Sequence, residues 1–232
     1  MPCLVVLLAF ALRVIDLPTV PFGWHPDEAT KGLLARDVLA GKYHPAFFTA
    51  FTGRDALYVY LEAAAFALFG EGMLAGRLLS AFIGTLTAAA TYALGRAMGS
   101  HRAGLLASSL LAASLWHLIA SRNGYRAVIQ PLVQTPVLWV LFAEWRSDEV
   151  RPGSWLRFAT AGAALGLTQY TYTAARAFPL LIAAMLAVAA LAAPARGRQP
   201  QEGWASSAAC AGAAGLCRRG NPAAHAHAAA AG

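Results

Sequence analysis

Apolar residues along this chain are gathered into long runs, with polar residues collected between them. Six runs are read as membrane-spanning helices, at residues 3–17, 78–94, 103–120, 127–145, 158–175 and 177–193. Each is close to the roughly 17–25 residues that a helix needs to cross a bilayer. The pattern therefore predicts an all-α fold, a polytopic transmembrane helix bundle of about six spans.

A seventh apolar run, at residues 56–69, is too short to span. Its 14 residues would make a helix of about 21 Å, against a hydrocarbon core of about 30 Å. Residues 28–39 predict a second short helix, which places Leu34, Ala35, Val38 and Leu39 on one face and Lys31, Arg36 and Asp37 elsewhere. We expect both to be interfacial helices lying over the bundle, in the first extracytoplasmic loop.

The distribution of arginines between the loops sets the predicted topology. If 56–69 does not cross, seven loop arginines fall on the cytoplasmic side: Arg96, Arg102, Arg146, Arg151, Arg157, Arg196 and Arg198. Only Arg122, Arg126 and Arg176 among the later loops then lie outside. Because cytoplasmic loops carry an excess of basic residues, the count predicts one long outer loop at 18–77 in a multi-pass protein of the plasma (cytoplasmic) membrane.

Composition agrees with a chain that lies in the lipid bilayer. Hydrophobic residues make up 58% and charged residues 12%, against about 45–50% and 25% in ordinary soluble domains. The net charge of +7 is dispersed over the loops, as topology selects, so it does not indicate nucleic-acid binding. Cys3, Cys210 and Cys217 lack the spacing of a disulfide framework or a zinc site.

The C-terminal segment differs from the rest. Residues 197–232 are rich in Ala, Gly and Arg and predict neither a span nor an amphipathic helix. The organisation predicted is an N-terminal transmembrane module at 1–196 and a low-complexity tail at 197–232. A disordered tail and a shifted reading frame are equally compatible with this composition.

The run HPDEATKG at 25–32 is the first candidate for chemistry. It places Asp27 and Glu28 side by side, just outside the first apolar span. A base that deprotonates a water-soluble acceptor beside a lipid-linked substrate must be ionised and close to the membrane, and Asp27 meets both conditions on this topology. The alternative is structural: Asp27 caps the helix and Glu28 is a first-turn acid that the helix dipole favours.

Two further polar runs fall on the same predicted outer face. SRNGYR at 121–126 holds Arg122 and Arg126, which are suited to a phosphate but could equally anchor the chain to lipid headgroups. GLTQYTYTAARAFP at 166–179 holds Tyr170, Tyr172 and Arg176, for which anchoring in the aromatic belt is the alternative. Within the spans, His117, Gln130 and Gln134 are expected to form hydrogen bonds between helices.

These runs together resemble a known family. The PDEA run, the YLEAAAFALFGEG run followed by AGRLLSAFIG, the ASLWHLIASRNGYR run and GAALGLTQYTYTAARAFP occur in this order in GT-C fold glycosyltransferases of the protein-mannosyltransferase and aminoarabinose-transferase type, glycosyltransferase family 39. The resemblance covers about residues 10–193. It is carried by the ordered set rather than by any single motif.

The resemblance implies an inverting transfer of a sugar from a polyprenyl-phosphate carrier to an extracytoplasmic hydroxyl. Asp27, with Glu28, matches the acidic residue of the first outer loop that acts as catalytic base or contacts the reacting groups in the family. By the same resemblance the substrate-binding residues are His25, Arg122, Arg126, Tyr170, Tyr172 and Arg176. The acceptor and the sugar are left open, no cofactor is implied, and no metal site is indicated by the spacing of the possible ligands.

Two other interpretations stay open. Members of the family continue through more spans, so we expect this chain to be an N-terminal part and the 232-residue product to be of uncertain activity, or an inactive membrane fragment. A secondary transporter is the second alternative. In that class, polar groups near the bilayer midplane line the substrate path, whereas the ionisable groups here lie mainly at the ends of the spans.

Overall fold

The computed structural model describes residues 1–51, 53–145 and 154–192. Within them the chain forms helices joined by short turns and one small β-hairpin. The helices are α1 (Pro2–Val14), α2 (Pro26–Leu39), α3 (Ala56–Phe69), α4 (Met73–Met98), α5 (His101–Ala113), α6 (Leu115–Arg122), α7 (Ile129–Trp145), α8 (Ser154–Thr168) and α9 (Phe178–Ala192), with β1 (Phe47–Phe48) and β2 (Arg54–Asp55) between α2 and α3. The predicted helical membrane bundle is confirmed.

The chain divides into two units, Met1–Leu181 and Ile182–Gly232. The first contains helices α1 to α8 and the hairpin. Of the second, only the C-terminal part of α9 lies among the described residues. The predicted tail at 197–232, Cys210, Cys217, Arg146, Arg151, Arg196 and Arg198 fall outside the described ranges.

Three helices of the described chain are long and apolar enough to cross a membrane. They cover Met73–Met98, Arg126–Glu144 and Thr173–Leu191, where the last two include a 3₁₀ turn before the α-helix. They correspond to the second, fourth and sixth predicted spans. The first predicted span is the 13-residue α1, and 13 residues of helix extend over only about 20 Å.

The third predicted span, at 103–120, is not one straight helix. Helices α5 and α6 meet at 59°, and together they could form a fourth, broken span. The break lies at Ser114, whose backbone is extended at φ −61° and ψ 118°. His117 of α6 bonds through Nδ1 to the Arg13 guanidinium of α1 at 2.8 Å. This contact holds α6 against α1 and confirms that His117 joins two helices, while the roles of Gln130 and Gln134 stay predictions.

The fifth predicted span, at 158–175, ends earlier than expected. Helix α8 ends at Thr168 because hydroxyl groups take over the bonding of the last carbonyls. Thr168 Oγ1 donates to the Leu165 carbonyl and Thr171 Oγ1 donates to the Thr168 carbonyl, each at 2.6 Å. Such bonds compete with continuation of a helix. A 3₁₀ turn at Thr173–Ala177 then leads into α9.

Helix α4 is the centre of the bundle because small residues recur along it every four positions. Gly76, Ser80, Gly84 and Ala88 are all buried, and residues four apart lie on one face of a helix. Small residues let neighbouring helices approach closely, which drives helix association where lipid removes the hydrophobic advantage. These four small residues form a ridge along α4, against which several neighbouring helices pack.

Two contacts show how close the approach to this ridge is. A Cβ atom on Gly84 would lie 2.6 Å from the Ser121 Cβ of α6 and 2.8 Å from Nε of Arg13. One turn further on, Ser108 of α5 donates to the Ala88 carbonyl at 2.7 Å. Helices α1 and α6 are thus held against α4 at distances that a larger residue at position 84 would not allow, and α5 is bonded to α4 one turn further on.

Helices α2 and α3 pack on each other beside the ridge, and they form the core that positions the polar residues. The buried side chains shared between them and the hairpin include Leu34, Ala35, Val38, Phe48, Val59, Ala63 and Phe66. The predicted apolar face of α2 is confirmed except at Leu39, which is 42% exposed. The prediction that Lys31 lies away from the buried face is wrong, because its side chain is fully buried.

Candidate functional site

The N-terminus of α2 is capped by His25 rather than by Asp27. The His25 Nδ1 atom accepts a hydrogen bond from the Asp27 backbone at 3.2 Å, and the Glu28 carboxylate reaches back to the His25 N–H at 3.5 Å. This reciprocal pair is a capping box. The structural alternative for Asp27 as the helix cap is therefore wrong, and the Asp27 carboxylate is free for other contacts.

Glu28 faces inward and is paired with Arg77 of α4. Arg77 Nε donates to Glu28 Oε1 at 2.8 Å, and Nη2 donates to Oε2 at 3.2 Å. Both residues are buried, and the same guanidinium also bonds to the carbonyls of Pro21 and Gly23 at 2.8 and 2.6 Å. Glu28 thus ties α2 to α4 and to the chain that precedes α2.

Asp27 points the other way and is held between two cations. Arg54 of β2 donates through Nη1 to Asp27 Oδ1, and Lys31, one turn along α2, lies with Nζ 3.4 Å from Oδ2. Lys31 Nζ also donates to the Gly124 carbonyl and lies 4.8 Å from the centre of the Tyr58 ring. The Asp27 side chain remains 24% exposed, so a ligand can reach it.

The electrostatic surroundings keep Asp27 ionised. Burial raises the pKa of the carboxyl, but Lys31, Arg54 and Arg126 together outweigh burial and hold the pKa below its ordinary value of 3.8. Burial lowers the pKa of Lys31 below 10.5, and the nearby carboxylates of Asp27 and Glu62 offset that effect only in part. At neutral pH the site therefore contains an ionised carboxylate among three basic side chains.

The SRNGYR loop docks onto the start of α2. Tyr125 Oη lies 3.2 Å from His25 Nε2, with the two rings edge to face at 5.2 Å between centroids. Gly124 has φ +63° and its carbonyl accepts from Lys31. The two runs singled out in the sequence are thus in direct contact, although they are about 100 residues apart in the chain.

The two arginines of this loop have different surroundings. Arg126 lies 5.4 Å from the centre of the Tyr172 ring, and its Nη1 donates to the Gly53 carbonyl at 3.5 Å. Arg122 instead donates to the carbonyls of Leu12 and Val20, each at 2.8 Å. Arg126 therefore belongs to the surroundings of Asp27, whereas Arg122 ties the end of α1 to the following loop.

Tyr170 and Arg176 lie around Asp55 rather than around Asp27. Arg176 Nη2 is 3.3 Å from Asp55 Oδ1, and the Tyr170 carbonyl accepts from the Leu57 backbone at 3.3 Å. Both side chains line a cavity of about 320 Å³ together with Asp55. Apart from Arg122, the predicted substrate-binding residues thus fall into two neighbouring groups that meet at β2.

A buried carboxylate that the sequence did not single out lies beneath the site. Glu62 of α3 is 3% exposed and its Oε2 has no hydrogen-bond partner among the described residues. Burial raises its pKa to about 7, although Lys31 acts in the opposite direction. A Cβ atom on Gly76 of α4 would lie 2.6 Å from Glu62 Oε1, so the small-residue ridge makes room for this side chain.

Lys31 and Arg54 were also missed, although the sequence carried a signal for each. Lys31 stands four residues after Asp27, which places the two on one helix face. Arg54 is a charged residue immediately before the apolar run at 56–69. In the described ranges there is no group of three or more His, Cys, Asp or Glu residues placed to hold a metal ion.

Comparison with known proteins identifies the family. The sequence model of the family described as dolichyl-phosphate-mannose-protein mannosyltransferase matches residues 56–217, which is more than half of the chain. No curated protein and no solved structure matches the chain. The matched segment includes Glu62, Arg126 and Arg176 but begins after Asp27. The helical membrane bundle of the chain and this match show that the chain belongs to the dolichyl-phosphate-mannose-protein mannosyltransferase family, whose members are membrane glycosyltransferases of the GT-C type.

Proposed function

We propose that this membrane glycosyltransferase takes its sugar from a polyprenyl-phosphate carrier and transfers it to an extracytoplasmic hydroxyl group, with Asp27 as the catalytic base. The observation that carries the proposal is the sharing of one partly exposed carboxylate by Lys31, Arg54 and Arg126. Even when the buried Glu62 carboxyl, with its pKa of about 7, is counted beside Asp27, the three basic groups leave positive charge unbalanced. An anionic substrate group beside the acid would balance that charge.

The two arginines have bonding capacity left for a phosphate. Arg54 Nε is buried without a hydrogen-bond partner among the described residues. Within the described ranges, the side chain of Arg126 makes one hydrogen bond, a long one of 3.5 Å to the Gly53 carbonyl. A guanidinium carries five N–H donors in a planar fork that matches phosphate oxygens. We therefore assign phosphate binding to Arg54 and Arg126, and we withdraw Arg122 from that role because backbone carbonyls occupy it.

An apolar cavity supports a lipid-linked donor. It has a volume of about 460 Å³ and lies between α1, α3 and α4. Its lining is almost wholly hydrophobic, including Phe10, Leu61, Leu68, Phe69, Leu79 and Phe82. Pockets of this size are typical of small-ligand sites, and an isoprenoid chain is the donor component whose chemistry fits such walls.

The proposed step is a single displacement. The acceptor oxygen attacks the anomeric carbon, the bond from that carbon to the phosphate oxygen breaks, and the hydroxyl proton passes to Asp27. The leaving phosphate takes the bonding electrons and gains negative charge, which Arg54 and Arg126 stabilise. Attack opposite the leaving group inverts the anomeric configuration. We assign Glu28 a positioning role, because Arg77 occupies both of its oxygens.

The test is sugar transfer by variants of the chain in liposomes that contain a polyprenyl-phosphate sugar. Asp27→Asn should lower the rate at least about 100-fold, the range of a lost general base. Asp37→Asn is the matched control, because Asp37 lies on the same helix and pairs with the exposed Lys42 at 2.6 Å. Unchanged transfer by Asp27→Asn would reject the assignment.

The same assay separates the two other interpretations. Sugar that enters the liposomes without a covalent product would favour a secondary transporter. A wild-type chain that inserts and folds but forms no product would favour an inactive fragment. The extracytoplasmic side of Asp27 is tested separately, by labelling a cysteine introduced at exposed Phe22 with an impermeant maleimide in intact cells, after Cys3, Cys210 and Cys217 are replaced by serine.

A further inference from the structure

A second cavity, which contains both charged and aromatic side chains, opens on the opposite side of β2 from Asp27. It has a volume of about 320 Å³ and is lined by Ala46, Phe47, Asp55, Gln169, Tyr170 and Arg176. Successive residues of a strand point to opposite faces. Arg54 therefore reaches Asp27, while Asp55, paired across the hairpin with Phe47, faces this cavity. The two sites adjoin but do not share side chains.

The bonding of Asp55 is incomplete. Its side chain is 3% exposed, and its only ion pair among the described residues is with Arg176 at 3.3 Å. Oδ2 is buried and has no hydrogen-bond partner in the same part of the chain. Asp55 also directly precedes α3 but makes no side-chain capping bond to it. Buried carboxylate oxygens are almost always satisfied, so the fold leaves this one available to a ligand.

The other lining residues suit a ring that carries hydroxyl groups. Tyr170 is 49% exposed and Phe47 is 44% exposed, so aromatic surface is available at the wall of the cavity. Arg176 is more than half exposed at the rim, and Gln169 Nε2 is engaged by Thr168 at 3.0 Å, which leaves the Gln169 carbonyl oxygen as an acceptor. Acceptors and donors together with apolar ring surface match the hydroxyl edges and C–H faces of a sugar.

The charges of the cavity argue against simple ions. Asp55 repels a phosphate, and Arg176 repels a metal cation. A neutral hydroxyl group can donate to Asp55 and accept from Arg176 at the same time. The lining residues of the cavity therefore favour an uncharged, hydroxyl-rich ligand.

We propose that this cavity binds a pyranose ring through Asp55, Arg176, Gln169 and Tyr170. A role for this cavity in catalysis by the neighbouring Asp27 rests on the proposed glycosyltransferase reaction, whereas sugar binding by the cavity does not. In the bound state a ring hydroxyl donates to Oδ2 of Asp55 and accepts from the Arg176 guanidinium. The ring then stacks on Tyr170. The sugar is either that of the lipid-linked donor or one already carried by a glycosylated acceptor.

The test is saturation-transfer NMR with methyl α-mannopyranoside and the full chain in phosphatidylcholine nanodiscs. The wild type should give a saturable signal. Asp55→Asn, which keeps the shape of the side chain, and Tyr170→Ala, which alters an exposed residue, should each weaken binding at least about tenfold, the equivalent of about 1.4 kcal/mol. Leu167→Ala is the matched control, since Leu167 is also partly exposed nearby but does not line the cavity.

The outcomes are distinct. No saturable signal from the folded wild type, or equal binding by Asp55→Asn, Tyr170→Ala and the wild type, would overturn the proposal. Binding that persists in an Asp27→Asn variant that no longer transfers sugar would support it and separate it from the catalytic assignment. Competition between the methyl glycoside and the lipid-linked donor assigns the cavity to the donor sugar. Additive binding assigns it to a glycosylated acceptor.

Discussion

Replacing Glu62 with glutamine should remove a pH dependence of stability that the buried carboxylate creates. Glu62 faces Lys31, Asp27 and Glu28 from α2 and Tyr58 from its own helix. Burial, opposed by Lys31, raises its pKa from 4.5 to about 7. The folded state therefore holds a proton that the unfolded state has released between these two pH values.

The sign and size follow from proton linkage. When the folded state binds more protons, the free energy of unfolding falls as pH rises. The stability that the protonated carboxyl contributes is complete below about pH 4.5 and is lost as pH rises through 7. At about 1.4 kcal/mol for each pH unit between the two pKa values, the loss is about 3 kcal/mol. The ionised Asp27 carboxylate has the opposite pH dependence, because its pKa lies below the ordinary value of 3.8. The stability that it contributes is lost as pH falls below 3.8, outside the range of this measurement.

The measurement is denaturant-induced unfolding in mixed micelles at pH 5 and at pH 8. The wild type should lose about 2.5 kcal/mol between them, because part of the loss has already occurred at pH 5. Glu62→Gln should lose much less, so that the variant is the more stable protein at pH 8. Glu71→Gln is the control, because Glu71 is about half exposed and pairs with Arg36. An equal change with pH in wild type and Glu62→Gln would refute the burial of an unpaired carboxyl at this position.

Three further changes test other parts of the structure. Arg77→Met should lower the free energy of unfolding by about 3–5 kcal/mol because it leaves the Glu28 carboxylate buried without a charged partner, and adding Glu28→Gln should recover part of that loss in the same unfolding assay. Arg54→Gln should raise the KM for the lipid-linked donor at least about tenfold, and an unchanged KM would remove Arg54 from the phosphate site. Gly84→Val should destabilise the bundle by about 1–3 kcal/mol through overpacking, whereas Gly162→Val, where a Cβ meets nothing within 4 Å, should not.

The parts of the fold that depend on composition could be predicted from sequence. The apolar run at 78–94 correctly predicted the long helix α4, and the run at 56–69 correctly predicted the short helix α3. Unbroken apolar length determines whether a helix is long enough to span the bilayer. The break at Ser114 could not be predicted in this way. No glycine or proline lies next to it, and hydropathy counts how apolar a segment is without showing its direction.

The candidate site was predicted where adjacency along the chain was sufficient, as for Asp27. Assigning different roles to Asp27 and Glu28 required the positions of the neighbouring helices, which sequence does not show. Consecutive helix residues point about 100° apart, and which of the two faces Arg77 depends on a residue 49 positions away. The burial of Lys31 likewise depends on the Gly124 carbonyl, 93 positions along the chain. The sequence shows the charge of Arg122 but not the backbone carbonyls to which it donates, and these contacts are why the proposal assigns phosphate binding to Arg54 and Arg126 instead.

The most direct test of Asp27 as the base is the transfer rate at saturating lipid-linked donor, measured together with donor affinity for wild type, Asp27→Asn and Glu28→Gln. We expect Asp27→Asn to bind the donor within a few-fold of wild type and to lose at least about 100-fold in rate, the pattern of an interaction made in the transition state. Glu28→Gln should lose stability more than rate. An Asp27→Asn variant that turns over at the wild-type rate, or a folded Glu28→Gln variant that loses as much rate as Asp27→Asn, would contradict the assignment.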